Sequence, residues 1–165
     1  LREYLGDISI TAQQALKEMR LMLYELGSGA LVKESLVEAL RYRLESVEGR
    51  SGIAAELQVN SDLEISPDLD RALYLVAQEA LNNTLKHAKA TTVRVTIDKQ
   101  GSILIMFIED NGRGFSPQAS PSGGMGLKTM ADRIGALGGS LHINSLPGVG
   151  TKIQLIIDLE KYGVD

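Results

Sequence analysis

Two groups of residues in this chain have the types and spacing that chemistry requires. Glu79, Asn83 and Lys86 stand four and three residues apart, so on a helix they share one face. A carboxylate, an amide and an ammonium in a row suit a phosphate–magnesium site. Magnesium prefers oxygen ligands, keeps several waters and takes the rest from substrate phosphates. One amide oxygen from Asn83 is then enough from the protein, Lys86 offsets phosphate charge, and Glu79 orients or polarises a water or hydroxyl. Taken alone, the same pattern is an ordinary solvated helix face. The second group, Glu109-Asp110-Asn111-Gly112-Arg113-Gly114, directly follows an apolar run. Asp110 stands at the end of that run, near the core, where a carboxylate can accept a hydrogen bond from an exocyclic amine such as that of adenine. Gly112 and Gly114 have no side chains, so a flat ring can approach the backbone. Taken alone, this segment is equally a hairpin turn, because Asn-Gly is a strong turn dipeptide. A plain hairpin, however, needs neither a second glycine nor a semi-buried acid.

Two further segments are weaker alone. Gly123-Gly124-Met125-Gly126-Leu127 precedes a helix, and backbone amides at a helix N-terminus favour phosphates. The Gly-, Ser- and Pro-containing loop before it can act as a lid, or it is simply a flexible connection. The known phosphate loops do not fit: no GxxxxGK[ST] occurs, and the GxG at 124–126 lacks the third glycine of a dinucleotide fingerprint. Gly148-Val149-Gly150-Thr151 opens the last strand. Thr151 can supply a hydroxyl near Asp110, through a water, or the segment is a hairpin with a β-branched residue.

Positioning these residues takes a small set of elements. Ser66-Pro67 is a helix start, with serine as N-cap and proline at the first helical position. That helix is expected to run to about Ala88 on the stripe Leu69, Ala72, Leu73, Val76, Ala80 and Leu81, which sets Glu79, Asn83 and Lys86 at the edge of the core. Upstream, Leu36, Leu40, Leu44 and Val47 mark a helix ended by Gly49 to Gly52, and Ala54–Val59 reads as a short strand. Val93, Val95 and Ile97 alternate with polar residues, as in a half-buried strand. The run 103–108 is apolar throughout, which predicts a central strand covered on both faces. A helix over 127–137 is ended by Gly138-Gly139. Strands at 140–144 and 152–159 are joined by Leu146-Pro147-Gly148-Val149-Gly150. The first segment is helical, with Ile8, Ala12, Ala15, Met19, Met22 and Leu26 on a heptad seam. That seam suits packing along another helix, or equally an amphipathic helix lying on its own domain. Gly27-Ser28-Gly29 breaks it. Two pairs of strands joined by helices predict an α+β fold: one mixed sheet with helices on one face and the other face fairly open.

The bulk properties set limits. A chain of 165 residues can bury one good core plus a small extra element. A net charge of -4 argues against a general nucleic-acid binder. The absence of cysteine excludes disulfides and thiolate metal sites. No apolar run approaches a membrane span, and no secretory signal pattern opens the chain.

Order, spacing and placement of the four segments together are far more specific than any one. They resemble the ATP-binding domain of the GHKL group (gyrase, Hsp90, histidine kinase, MutL). Within it they resemble sensor histidine kinases of the class related to nitrate and membrane-fluidity sensors. The resemblance rests on Gln78 to Ala88 as the N box, Asp110 to Gly114 as the G1 box, Gly124 to Leu127 with Met130 and Arg133 as the G2 box, and the closing Gly150-Thr151. Upstream, Ala15 to Arg20 and Leu23 to Leu26 are similar to the second helix of that class's dimerisation hairpin, so almost the whole chain is covered.

The resemblance implies a two-layer α/β sandwich with a mixed sheet of about five strands, preceded by an N-terminal helix. It implies residues 1–27 as part of the second dimerisation helix and 28–165 as the ATP-binding catalytic domain. ATP and magnesium are the implied cofactors. Asn83 would bind magnesium, Asp110 the adenine amino group, and Gly112 and Gly114 would line the ring. Lys86 and His87 would approach the phosphates. Gly124 and Gly126, with Leu127, would hinge the lid and contact phosphate, Thr151 would stand near Asp110, and Glu79 would act as the catalytic acid–base or positioning group. The implied reaction moves the γ-phosphate to a histidine and then to a response-regulator aspartate. The acceptor histidine is expected outside this chain, because neither His87 nor His142 sits in an acceptor context. The chain alone is therefore expected to bind ATP without phosphorylating itself. The implied partners are the dimerisation and phosphoacceptor helices and a response regulator, with no nucleic acid. The full-length protein would be a homodimer, and this piece a monomer or weak dimer. The expected location is the cytoplasm, including the cytoplasmic part of a membrane-anchored sensor. Competing readings are an anti-sigma-type serine kinase with the same pocket and a non-catalytic nucleotide-sensing module.

Overall fold

A computed structural model describes residues 2–26, 35–116 and 124–162. Along the chain lie α1 (Arg2–Glu25), α2 (Leu36–Ser51), β1 (Ala54–Val59), α3 (Pro67–Asn83) with a π-helical extension (Thr84–Ala88), β2 (Thr92–Gln100), β3 (Ile103–Asp110), α4 (Met125–Ala136), β4 (Ser140–Leu146) and β5 (Gly150–Asp158). The strands form one sheet in the order β1-β2-β3-β5-β4. β1 pairs parallel with β2 and the other neighbours are antiparallel, so the sheet is mixed. A parallel pair needs a crossover, and α3 supplies it on one face of the sheet.

Local chemistry explains the helix ends. Ser35 and Glu38 form a reciprocal capping box at the start of α2, and Gly52 ends that helix in the left-handed region at φ 68°. At α3 the Ser66 hydroxyl accepts the Leu69 N–H at 3.3 Å, Pro67 opens the first turn, and Asp68 and Asp70 oppose the helix dipole. The inner stripe of α3 is buried, Leu69, Leu73 and Leu81 fully so. Each such leucine contributes roughly 1.5–3 kcal/mol of transfer free energy. It packs with α2 and α4 against Val95, Ile97, Leu104, Met106, Leu155 and Ile157 of the sheet.

Three expectations change. The 103–108 run is the central strand, but it is not covered on both faces. Leu104, Met106 and Ile108 are buried, whereas Ile103, Ile105 and Phe107 are only half-buried on the open face. There the Lys152 ammonium lies 4.3 Å over the Phe107 ring and pairs with Glu109 at 3.0 Å. A long charged side chain thus supplies cover where helices do not. The helix expected over 67–88 keeps α geometry only to Asn83. From Thr84 to Ala88 it widens to a π turn, and Lys89 then turns left-handed at φ 53°. The last two strands are longer at the hairpin than expected, leaving a tight turn closed by Val149 N–H to the Leu146 carbonyl at 3.0 Å.

Helix α1 lies against the domain, though not through its heptad seam. Ile8, Met19, Met22 and Leu26 are 60% exposed or more. The face that meets the domain carries Leu21 and Tyr24, both buried, with Lys17 paired to Glu45 and Glu18 to Arg50 on α2. The Tyr24 hydroxyl donates to Asp70 at 2.9 Å. The expected break at Gly27-Ser28-Gly29, and with it the domain boundary after residue 27, lies outside the described residues. No helix among the described residues is long and apolar enough to cross a membrane.

Candidate active site

A cleft of about 460 Å³ opens beside α3. Glu79, Asn83, Thr84, Lys86 and His87 line it from α3 and the π turn. Ile108 and Asp110 come from the end of β3, with Thr151 and Ile153 from β5. Arg113, Gly114 and Phe115 follow from the loop after β3, and Gly124, Met125, Gly126 and Leu127 from the start of α4. The four segments singled out in the sequence therefore meet around one space. Gly112 is the exception and does not line the cleft. It is buried against the end of the π turn, where a side chain would run into the Ala88 carbonyl. Its absent side chain serves close packing of the loop on the helix, not the approach of a ring. The Arg113 N–H donates to the same Ala88 carbonyl at 2.7 Å, which fastens the loop to the helix end.

Gly114 does line the cleft, and its backbone requires glycine: φ is +59°, and a side chain would strike the Leu146 carbonyl. Asp110 sits on the helix-facing side of β3, by alternation from Leu104, Met106 and Ile108. One of its oxygens accepts the Gly112 N–H at 2.9 Å and the other the Thr84 hydroxyl at 3.3 Å. Thr151 is the direct cross-strand partner of Asp110. Its hydroxyl lies 2.9 Å from that of Ser145, which also accepts the Phe115 N–H at 2.9 Å and donates to the Gly150 carbonyl at 3.1 Å.

At the other end, Glu79 stands against the first turn of α4. A methyl group on Gly126 would collide with the Glu79 carboxylate. No side chain caps the start of α4 at Gly124, and its first turn holds no acidic residue of its own. The Leu127 N–H bonds back to the Gly124 carbonyl at 2.9 Å, and the positive end of the dipole is left for an anion in the cleft. Lys86 and His87 are exposed on the π turn beside it. Among the described residues no group of three or more His, Cys, Asp or Glu could hold a metal alone. The oxygen donors Asn83 and Glu79, one helical turn apart, fit an ion that takes most of its ligands from phosphates and water, as magnesium does.

Sequence reasoning passed over Thr84 and Ser145, the buried polar side chains among the described residues. Both carried a signal. Thr84 falls on the apolar stripe of α3, four residues after Ala80, and Ser145 continues the inward parity of Leu141 and Ile143 along β4. A hydroxyl at a core position asks for a partner. Arg113, Phe115 and Met125 also line the cleft without having been assigned a part in it.

Residues 68–161 match the family described as histidine kinase-, DNA gyrase B- and HSP90-like ATPase. The signal transduction histidine-protein kinase/phosphatase DegS of Brevibacillus brevis is 34% identical over 93% of this chain and 40% of its own length. The sensor protein VraS of Staphylococcus epidermidis is 32% identical over 98% of this chain and 46% of its own length. The chain thus spans less than half of these curated relatives. Among solved structures, the histidine kinase domain of the Erythrobacter litoralis EL346 blue-light activated histidine kinase superposes with a TM-score of 0.71 at 18% identity, over 97% of this chain and 86% of that one. The histidine kinase AdeS of Acinetobacter baumannii superposes with a TM-score of 0.63 at 16% identity, over 96% and 83%. At such identities these two likenesses speak to the fold. The cleft, the mixed sheet and the matched segments lead to one conclusion: the chain belongs to the histidine kinase-, DNA gyrase B- and HSP90-like ATPase family.

Proposed function

We propose that this chain is the catalytic domain of a two-component sensor histidine kinase of the class related to nitrate and membrane-fluidity sensors. It binds Mg-ATP in the cleft and passes the γ-phosphoryl group to a histidine outside the chain, for relay to a response-regulator aspartate. The observation that carries this reading is the convergence of Glu79, Asn83, Asp110, Gly124 and Gly126 on one space beside an uncapped helix N-terminus. Asp110 accepts from the exocyclic amine of adenine, with Thr151 beside it and Gly114 allowing the backbone to bend around the base. Lys86, His87 and the amides of Gly124 and Gly126 receive the phosphates, with Leu127 beside them at the start of α4. Asn83 holds magnesium, which when bound with the nucleotide neutralises charge on the transferring group. As the imidazole nitrogen bonds to the γ-phosphorus, the bond to the β–γ bridging oxygen breaks and ADP leaves. The protein chiefly positions the partners. Glu79, beside the first turn of α4, positions the acceptor or a water.

Residues 1–27 act as part of the second dimerisation helix and 28–165 as the catalytic domain. The exposed seam of Ile8, Met19 and Met22 supports pairing with the other helices of that hairpin. The assembled protein is a homodimer that works on the cytoplasmic side, and this chain alone is a monomer or weak dimer. His142 is exposed on β4 and His87 lies in the cleft, so neither serves as acceptor. Incubated alone with labelled ATP, the chain stays unlabelled. Mixed with a separate dimerisation hairpin bearing the acceptor histidine, it places acid-labile phosphate on the hairpin. Nucleotide binding without transfer would reduce the reading to a binding module. Asp110→Ala abolishes ATP binding while the fold survives; unchanged affinity would overturn the adenine assignment.

A further inference from the structure

We propose that Thr84 is a positioning residue for base recognition: its buried hydroxyl holds the Asp110 carboxylate in the orientation that meets an exocyclic amine. The inference rests on the reading of Asp110 as the base acceptor. Thr84 is 3% exposed, so its hydroxyl has no solvent alternative. Two acceptors lie in reach, the Ala80 carbonyl at 3.2 Å and Asp110 at 3.3 Å. A helical threonine ordinarily satisfies itself on the carbonyl four residues back. Here that carbonyl already receives the Thr84 backbone N–H. The carboxylate is the stronger acceptor and takes the hydroxyl proton.

Asp110 has little else to fix it. Its neighbour Glu109 is paired with Lys152 on the other face of the sheet, and no ion pair to Asp110 occurs among the described residues. The terminal torsion of an aspartate is broad, so its plane is set by what bonds each oxygen. The Gly112 N–H holds one oxygen from the turn and Thr84 holds the other from the helix. Each oxygen keeps a lone pair for the cleft. With both donors in place the carboxylate is locked before a base arrives, and without Thr84 it is held at one oxygen only and must be ordered on binding.

The test is isothermal titration of the chain, with magnesium present, by ATP and by purine riboside 5′-triphosphate, which carries hydrogen where ATP has its amino group. Wild type prefers ATP by about tenfold, the scale of one hydrogen bond to a charged acceptor. Thr84→Val keeps the shape and lowers that preference about fivefold. Thr84→Ser retains it and Thr84→Ala loses it; both lack the same methyl group, so that pair isolates the hydroxyl even if the valine variant folds poorly. A Thr84→Val or Thr84→Ala variant that keeps the wild-type preference, or that weakens both nucleotides equally, overturns the role given to Thr84. Asp110→Ala, which removes both acceptor oxygens, separates the two claims. If wild type does not discriminate between the nucleotides, or Asp110→Ala leaves ATP affinity unchanged, the base reading of Asp110 itself falls; if wild type discriminates and Asp110→Ala loses ATP binding while the Thr84 variants keep the preference, that reading stands and Thr84 is structural.

Discussion

Replacing Tyr24 by phenylalanine removes one hydroxyl from the joint between α1 and the rest of the chain. That hydroxyl donates to an Asp70 oxygen at 2.9 Å, and the same carboxylate accepts the Leu36 N–H at 3.0 Å. One aspartate at the start of α3 therefore ties the end of α1 to the beginning of α2. The Tyr24 ring packs edge-on against Tyr74, centroids 5.0 Å apart at 77°, and phenylalanine keeps that contact. Burial pushes the Asp70 carboxyl above its ordinary 3.8, while the bonds from Tyr24 and Leu36 pull the other way. A hydrogen bond to a charged group is worth about 1.5–3 kcal/mol net. Asp70 is half-buried and keeps the Leu36 N–H, so the loss falls at the lower end, about 1.5 kcal/mol. Urea unfolding of wild type, Tyr24→Phe, Asp70→Asn and the double variant at neutral pH measures it, with an expected coupling of about 1 kcal/mol. The pH dependence gives a second reading. With its folded pKa raised, Asp70 contributes stability that is full below 3.8 and is lost as pH climbs through the folded value. Removing the Tyr24 donor raises that value further, so the Tyr24→Phe penalty is full at neutral pH and shrinks in acid once Asp70 is protonated. Burial also raises the Tyr24 hydroxyl above its ordinary 10.0, with Asp70 adding to it, so stability falls as pH rises past 10.0 in wild type but not through this group in Tyr24→Phe. A Tyr24→Phe penalty below about 0.5 kcal/mol, the level of a surface change, or full additivity with Asp70→Asn would refute the joint.

Gly114→Ala combines a positive φ with a collision at the Leu146 carbonyl. It should lower stability by more than about 1 kcal/mol in thermal melts and weaken ATP binding. Gly126→Ala meets only the end of the flexible Glu79 side chain. Stability should stay within about 0.5 kcal/mol while phosphate transfer to a separate hairpin falls, and undiminished transfer would remove Glu79 from the positioning role. Ser66→Ala removes the hydroxyl that caps α3; a loss of about 1 kcal/mol in urea unfolding is expected.

Much of the fold was legible because its signals are local. Ser66-Pro67 marks the start of α3 through two independent preferences, and β1 and the stripe of α2 fall where their patterns placed them. Non-local questions were less legible. The α1 periodicity identified an apolar seam, but not that Leu21 and Tyr24, off the seam, would meet the domain. The 103–108 run could not say that one of its faces would be covered by Lys152, a residue on another strand. In the cleft, residue types pointed to Glu79, Asn83 and Asp110, whose chemistry is carried by their own side chains. Thr84 matters through a contact with Asp110 at the end of a distant strand, and Gly112 through a contact with Ala88. Neither contact has a counterpart in spacing along the chain.

The pairing of β2, β3 and β5 places Val93, Asp110 and Thr151 on a single rung of the sheet. Side chains alternate between faces, so sliding β3 by one residue would turn Asp110 out to the open face and bring Glu109 into the cleft. The intruder would still be an acid, and hydrophobicity would oppose the slip only through the strand's modest asymmetry, since Ile103, Ile105 and Phe107 are themselves apolar. Fidelity therefore depends on pins at the strand ends: Gly150 backed against the Asp110 carbonyl, Gly112 seated on Ala88, and the Lys152–Glu109 pair on the reverse face. These pins act as a proofreading device for chain alignment, selecting which of two adjacent carboxylates faces the nucleotide.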